Sequence, residues 1–285
     1  MELRDTCIDW VRGIFGTGLF DDVQGILLLN PSSGLYRDVW NIVSSLYTNV
    51  CVPIAMGLVL IYFMVNIIEK STQQQSLDLE HIIKLLMKLV LGLYLIEHGL
   101  EIMAEFYSLG LSFLQSVIGE AKAAYKANDL IESAWYGLTG EGLTGSWGTL
   151  ESLGKFMDLF WDLGIPFIVI KILTVVVNFV CYTRLIEFYL RTATAPIALS
   201  DFFTEGVHSN GWKFLKSYIA VALQAGIIML AVVVFNAIAS ALLGSSPDLS
   251  GGNYWSFMVK YLALAFATAG LMIKSLSLTK EIVGA

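Results

Sequence analysis

The feature that most constrains this chain is a long run without charge: no charged residue occurs from Val39 to Ile68. A helix over residues 44–68 would be about 37 Å long, which is enough to cross a bilayer with some tilt. Only 14% of the 285 residues are charged, whereas about 25% is usual in a soluble domain. The mean hydropathy of +0.70 agrees with this difference. The sequence therefore predicts a membrane protein.

Further apolar stretches predict an all-α polytopic fold with about five transmembrane helices. After the first span, the expected spans are residues 82–109, 163–183, 217–243 and 254–273. The third span is expected to continue as an amphipathic helix and to end at Ala195-Pro196, because the residue before a proline is pushed out of the α region.

The spans divide the chain into four parts. Residues 1–38 are predicted to be an exterior N-terminal segment whose amphipathic helix is too polar to span. We expect that helix to lie on the membrane surface or on the rest of the protein. Alternatively, it binds a partner. Residues 39–110 hold transmembrane helices 1 and 2, and residues 111–160 form an exterior loop with short helices. Residues 161–285 hold helices 3 to 5, a cytoplasmic loop at 192–213 and a short cytoplasmic tail.

The distribution of basic residues predicts the orientation. Segments 69–88, 184–216 and 274–285 carry more lysines and arginines near membrane edges than the segments on the opposite side. Positive charges near short loops mark the cytoplasmic side. We therefore expect an exterior N-terminus and a cytoplasmic C-terminus.

The sequence predicts no catalytic, cofactor or metal site. The nearest approach to a phosphate-binding loop, residues 148–155, has the wrong spacing and is followed by Phe156 where a Ser or Thr should bind magnesium. The histidines stand in separate segments, and the cysteines are far apart and expected to pack as small hydrophobes. The net charge of -7 gives no general attraction to nucleic acid. These observations argue against an enzyme.

The second span contains the most unusual charges. Glu97, Glu101 and Glu105 recur every four residues and would form one acidic stripe on a helix, with His98 beside it. Charged groups at membrane depth often mark ion or substrate pathways. Alternatively, the last two glutamates lie at the outer interface, leaving Glu97 and His98 embedded and paired with Lys171. Both interpretations remain open.

One block resembles a known family. Residues 184–198, an amphipathic segment ending in Ala195-Pro196-Ile197-Ala198, are followed by a polar loop and by Gly211-Trp212-Lys213-Phe214-Leu215-Lys216 before an uncharged span. This order resembles the TrbL family, the Vir-B-six-like membrane subunits of conjugative type IV secretion systems. The resemblance covers about residues 180–243 in detail and most of the chain in topology.

The resemblance implies a channel or scaffold subunit that helps to move single-stranded DNA or protein across a plasma (inner) membrane. It also implies self-assembly, other secretion subunits including cytoplasmic ATPases, and a bacterial host, with Gram-positive bacteria as the preferred setting. The amphipathic segments 1–30 and 111–160 predict that the assembly is a homo-oligomeric ring, because such faces seek partners. The loop after Pro196, with Asp201, Glu205 and His208, would then dock the ATPases, or it would only connect two spans. The alternative function is an ion-coupled secondary transporter with an intramembrane Glu/His relay.

Overall fold

The computed structural model describes residues 3–16, 18–29, 36–72, 79–124, 127–139, 154, 156–202, 209–244 and 252–284. Within these residues the chain is helical and contains no strand, which confirms the all-α prediction. The helices are α1 Leu3–Phe15, α2 Gly18–Leu27, α3 Arg37–Leu46, α4 Val52–Thr72, α5 Leu79–Glu97, α6 Gly99–Ala124, α7 Ala127–Thr139, α8 Ile165–Leu199, α9 Asn210–Gly244, α10 Gly252–Ile273 and α11 Ser275–Val283. Turns of π-helix, Tyr47–Cys51 and Phe160–Gly164, precede α4 and α8.

Five helices in the described part of the chain are long and apolar enough to cross a membrane, as the sequence predicts. They are Arg37–Glu69, Gly99–Glu120, Phe156–Leu199, Asn210–Leu242 and Tyr254–Ile273. The second differs from the predicted 82–109. The chain bends at His98 between α5 and α6, and α6 continues to Ala124, well into the predicted exterior loop.

The expected helix end at Ala195-Pro196 is wrong. Helix α8 runs through Pro196 to Leu199, and the Ser200 amide still donates to the Pro196 carbonyl at 3.0 Å. A proline inside a helix removes one main-chain hydrogen bond. Here Ala195 and Leu199, on either side of it, are fully buried, so packing of the last turn outweighs that loss.

Two compact units are formed from alternating parts of the chain. The first comprises Met1–Leu28, Leu114–Tyr182 and Gly226–Ser275, and the second comprises Leu29–Phe113, Thr183–Ala225 and Leu276–Ala285. Helices α6, α8 and α9 each contribute residues to both units.

The first unit buries the apolar face of α1. Cys7 and Val11 are inaccessible to solvent, and burial raises the pKa of the Cys7 thiol to about 11. The Trp10 ring lies 5.8 Å from that of Phe160, and the Tyr261 hydroxyl donates to the Ile14 carbonyl at 2.7 Å. Of the alternatives for this amphipathic helix, the structure therefore shows packing on the rest of the protein.

The second unit has a core rich in tyrosine. Tyr47, Tyr107 and Tyr218 are buried together with aliphatic residues of α6, α8 and α9. Each hydroxyl donates to a main-chain carbonyl, at 2.7 Å from Tyr47 to Ile96, 3.1 Å from Tyr107 to Leu29 and 3.2 Å from Tyr218 to Met103. Buried tyrosine hydroxyls need such partners, and these bonds join segments distant in sequence.

Candidate functional site

The predicted acidic stripe lies on an exposed face of the second unit. Glu97, Glu101 and Glu105 are all exposed, at the end of α5 and in the first turns of α6. The His98 ring stacks on Tyr94 with centroids 4.2 Å apart, and its Nδ1 lies 3.2 Å from the Tyr94 carbonyl oxygen. The three acids are thus exposed on two successive helices, while the histidine contacts its own preceding turn.

Lys171 belongs to the first unit. It is exposed on α8, and its ammonium lies 5.5 Å from the centroid of the Phe167 ring. A cation over an aromatic face is attracted by the ring quadrupole. Its proposed pairing with Glu97 and His98 stays a prediction.

The candidate docking loop is closed by a helix cap. The Ser209 hydroxyl accepts from the Trp212 amide at 3.2 Å and donates to the Phe202 carbonyl at 3.2 Å. This is the expected geometry of a serine at the N-cap, and it satisfies an amide that has no partner inside the helix. The Asp201 carboxylate accepts a hydrogen bond from the main-chain amide of Asn210, also at 3.2 Å. Negative charge is favourable at this end of a helix.

The loop ends lie very close together. A side-chain carbon added at Gly211 would lie 2.8 Å from the Phe202 Cα, so this approach requires glycine. Asp201 therefore has a structural role in joining α8 to α9. Pro196 lies inside α8, and Glu205 and His208 fall outside the described residues.

The sequence analysis missed the most unusual charge of the second unit, which is Arg184. It is only 2% exposed, in the middle of α8. Its Nε donates to the Val221 carbonyl at 3.1 Å and its Nη2 to the Ala222 carbonyl at 3.2 Å. The guanidinium carbon also lies 5.6 Å from the centroid of the Tyr107 ring. The cation is thus held by two carbonyl dipoles of α9 and one aromatic face of α6.

Close helix packing supports this arrangement. A methyl group added at Gly110 of α6 would overlap the Ala222 carbonyl, the same group that accepts from Arg184. Small residues allow helix backbones to approach closely in membranes. An arginine inside a predicted amphipathic continuation of a span was the available signal, but sequence spacing alone did not show which side it faces.

A second polar cluster lies further along α8. The Arg191 guanidinium forms an ion pair with Glu187 at 2.6 Å and donates to the Ser217 hydroxyl of α9 at 2.8 Å. One residue on, the Thr192 hydroxyl lies 3.0 Å from that of Tyr218. Together with Arg184, these contacts place a line of polar interactions along the facing sides of α8 and α9.

The contacts of these clusters join α8 to α9. Among the described residues, no group of three or more His, Cys, Asp or Glu is arranged to hold a metal ion. The residues that come together are two arginines, the Glu187 carboxylate, hydroxyls and main-chain carbonyls.

The comparison with known families decides the class. Residues 25–196, more than half of the chain, match the family described as TrbL/VirB6 plasmid conjugal transfer like protein. The chain belongs to this family. The match includes Arg184, Arg191 and Pro196, and it confirms the resemblance found from the sequence.

Membership in the TrbL/VirB6 family indicates a subunit of a conjugal transfer (type IV secretion) system, which implies other transfer subunits as partners. The family is a structural part of the transfer machinery and is not a known enzyme class. With its five apolar helices, the chain is a multi-pass membrane protein. Neither a curated protein nor a solved structure matches the sequence.

Proposed function

We propose that this chain is a non-enzymatic channel or scaffold subunit that helps to move single-stranded DNA or protein across the plasma membrane. The match to the TrbL/VirB6 family over residues 25–196 carries this proposal. The buried contacts of Arg184 support it, because they join α6, α8 and α9 as a scaffold would require. Separate cytoplasmic ATPases would supply the energy, since the sequence predicts no nucleotide site.

The direct test is genetic complementation. A host in which this gene is deleted should lose transfer of its mobile element, and the wild-type chain should restore it. A complemented strain that transfers no better than the deletion strain, despite normal amounts of inserted protein, would contradict the proposal. Purified protein that moves a small solute across liposomes, and loses this activity on Glu97→Gln and Glu101→Gln, would favour the transporter alternative.

The proposed topology has an exterior N-terminus and a cytoplasmic C-terminus. The host that we propose is a Gram-positive bacterium. Single-cysteine labelling in intact cells tests it after Cys7, Cys51 and Cys181 are replaced. Tyr136→Cys, at a position 63% exposed in α7, should react with an impermeant maleimide. Lys213→Cys, at an exposed position in α9, should react only after the cells are opened. The opposite labelling pattern would show that the chain has the opposite orientation.

We further propose a homo-oligomeric ring with an exterior layer formed by segments 1–30 and 111–160. The apolar face of α1 is buried within its own unit, so it does not contribute to this argument. What supports assembly is membership in a family of conjugal transfer systems, which implies that the chain works together with other subunits. Native mass spectrometry in mild detergent should find a closed oligomer, and a monomer at all protein concentrations would contradict it.

The docking of ATPases to the loop after Pro196 also remains a proposal. Because Asp201 accepts from the α9 amide, its replacement would disturb the cap itself. The sharper variant is therefore Glu205→Ala with His208→Ala, leaving Asp201 in place. Transfer should fall while insertion and assembly are unchanged. Lys213→Ala, on an exposed position beyond the cap, serves as the control. If the double variant transfers at the wild-type rate, the loop only connects two spans and the docking proposal is wrong.

A further inference from the structure

A groove in the second unit has no assigned role. It lies between α4 and α5, beside the end of α8, and is open to the surroundings of the protein. One part of its lining is apolar, with Val59, Phe63, Leu85 and Leu89. The other part is polar, with Tyr62, Asn66, Lys88 and Ser200. Gly92 also lines it, where the missing side chain leaves room.

Most of the polar groups in this groove have no partner within the described part of the chain. The Ser200 hydroxyl donates to the Ile197 carbonyl at 2.7 Å. In contrast, the Lys88 ammonium has no ion pair, and neither the Asn66 amide nor the Tyr62 hydroxyl has a hydrogen bond to another described residue. One cation and two neutral hydrogen-bonding groups therefore face the same empty space, and none of the described residues that line it is a carboxylate.

We propose that this groove binds an anionic phospholipid. Its phosphate would pair with Lys88 and accept from Asn66 and Tyr62, and an acyl chain would follow Val59, Phe63 and Leu89. Basic pockets between transmembrane helices bind anionic headgroups in this way. The stem of Lys88 is long enough to lie along apolar surface while its charge reaches the interface.

The surroundings of the groove favour a lipid over a soluble anion. Helix α4 belongs to a segment apolar enough to span, so its outer surface meets hydrocarbon. Half of the lining is apolar, which a free phosphate would leave uncovered but an acyl chain would cover. The predicted cytoplasmic segments 69–81 and 192–213 adjoin the lining residues in sequence, which is consistent with a headgroup at that interface.

Selective lipid retention tests the proposal. The purified full-length chain is equilibrated in neutral detergent with equal amounts of phosphatidylglycerol and phosphatidylcholine, washed, and its bound lipids are counted by mass spectrometry. The wild type should retain phosphatidylglycerol preferentially. Lys88→Gln should lower the ratio about fivefold, as expected for one basic side chain near anionic lipid, and Lys88→Arg should preserve it.

The matched control is Lys84→Gln, which removes the same charge one turn earlier on α5 from an exposed residue that does not line the groove. It should leave the ratio unchanged. Equal losses in the Lys84 and Lys88 variants would overturn the site, since attraction to lipid would then be general. Loss of retained phosphatidylglycerol in a wash with excess inorganic phosphate would point to a phosphate site and would overturn the lipid assignment.

Photo-crosslinking gives a second measurement that does not depend on a charge variant. A benzophenone amino acid replacing Phe63, in the groove, should form adducts enriched in phosphatidylglycerol in mixed liposomes. The same probe at Ile61, which is 58% exposed on α4 and does not line the groove, should give adducts in proportion to the lipid composition. Equal enrichment at both positions, or adducts at Phe63 with a protein instead, would overturn the proposal.

Discussion

Two regions of the second unit hold charged side chains in opposite environments, one buried and one exposed. Arg184 is 2% exposed and donates to two main-chain carbonyls of α9. Glu97 and Glu101, in contrast, are exposed on the two sides of the α5–α6 bend in sequence. Arg184 and Glu101 both occur in helical segments apolar enough to span, and Glu97 is the last residue of α5. The arginine is surrounded by protein, whereas the glutamates face the surroundings of the protein.

The difference teaches that a charge in an apolar helix is not by itself a functional site. A buried charge is stable only when polar groups replace the water that it has lost, and Arg184 has such groups. An exposed charge needs no such replacement if it lies in the interface or a water-filled space. The comparison therefore predicts that substitutions at Arg184 and at the glutamates differ greatly in their effects.

Charge reversal should give the largest contrast. Arg184→Glu would place a carboxylate against the oxygen atoms of Val221 and Ala222, which cannot donate. We expect a cost of more than about 4 kcal/mol, so that little folded protein remains in mild detergent. Glu101→Arg, on the exposed face, should fold normally. Both are measured by size-exclusion chromatography and thermal unfolding.

A control separates charge from volume. Arg184→Met fills most of the space but carries no charge, and the two carbonyls keep their main-chain partners in α9. We expect it to cost about 1 kcal/mol, because removing a buried charge also removes its desolvation cost. A stable Arg184→Glu variant would contradict the buried position of this side chain.

Much of this arrangement was predictable, and the reasons for the rest are physical. Uncharged runs such as residues 39–68 predict helices that span, because the bilayer leaves no other partner for backbone groups. The direction in which a side chain faces cannot be predicted in this way, because it depends on neighbours distant in sequence. Nothing near Arg184 in sequence shows that Val221 and Ala222 accept its hydrogen bonds. Pro196 is a similar case, because burial of Ala195 and Leu199 overrides a local preference.

The approach of α6 to α9 gives a second, smaller contrast. Gly110→Ala would drive a methyl group into the Ala222 backbone, so the helices must separate and loosen the contacts of Arg184. Overpacking of this kind costs about 2 kcal/mol. Gly119→Ala, on the same helix but with nothing within 4 Å of the added carbon, is the control and should be neutral or slightly stabilising. The free energies of unfolding of the two variants are compared by titration with a denaturing detergent. Equal losses would argue against close packing at Gly110.

The aromatic partner of Arg184 can be tested without disturbing the packing. Tyr107→Phe keeps the ring beneath the guanidinium but removes the hydroxyl that donates to the Leu29 carbonyl at 3.1 Å. The free energy of unfolding should fall by about 1 kcal/mol. Tyr107→Leu also removes the ring and should cost more. If both variants lose the same amount, the cation–π contact contributes nothing measurable.

Cys7 shows that a buried group able to stay uncharged behaves differently from Arg184. Burial raises the pKa of its thiol to about 11 from a usual value of 9.0. The folded state therefore keeps its proton more tightly than the unfolded state. Its contribution to stability is fully present below pH 9 and is lost as the pH rises towards 11. The melting temperature should fall more between pH 8 and pH 10 in the wild type than in Cys7→Ala, and equal falls would contradict the raised pKa.

The smallest effect is expected at the exposed glutamates. Glu97→Gln and Glu101→Gln remove charges that are already in contact with the surroundings, so each should change the free energy of unfolding by less than about 0.5 kcal/mol. Stability then stays constant, and any change in transfer reports on function directly. If the residues only lie at an interface, the double variant transfers at the wild-type rate. If they line a pathway, transfer falls while folding is unchanged. A destabilisation comparable to that of Gly110→Ala would show instead that the stripe is buried in the assembled machine, and the contrast with Arg184 would then disappear.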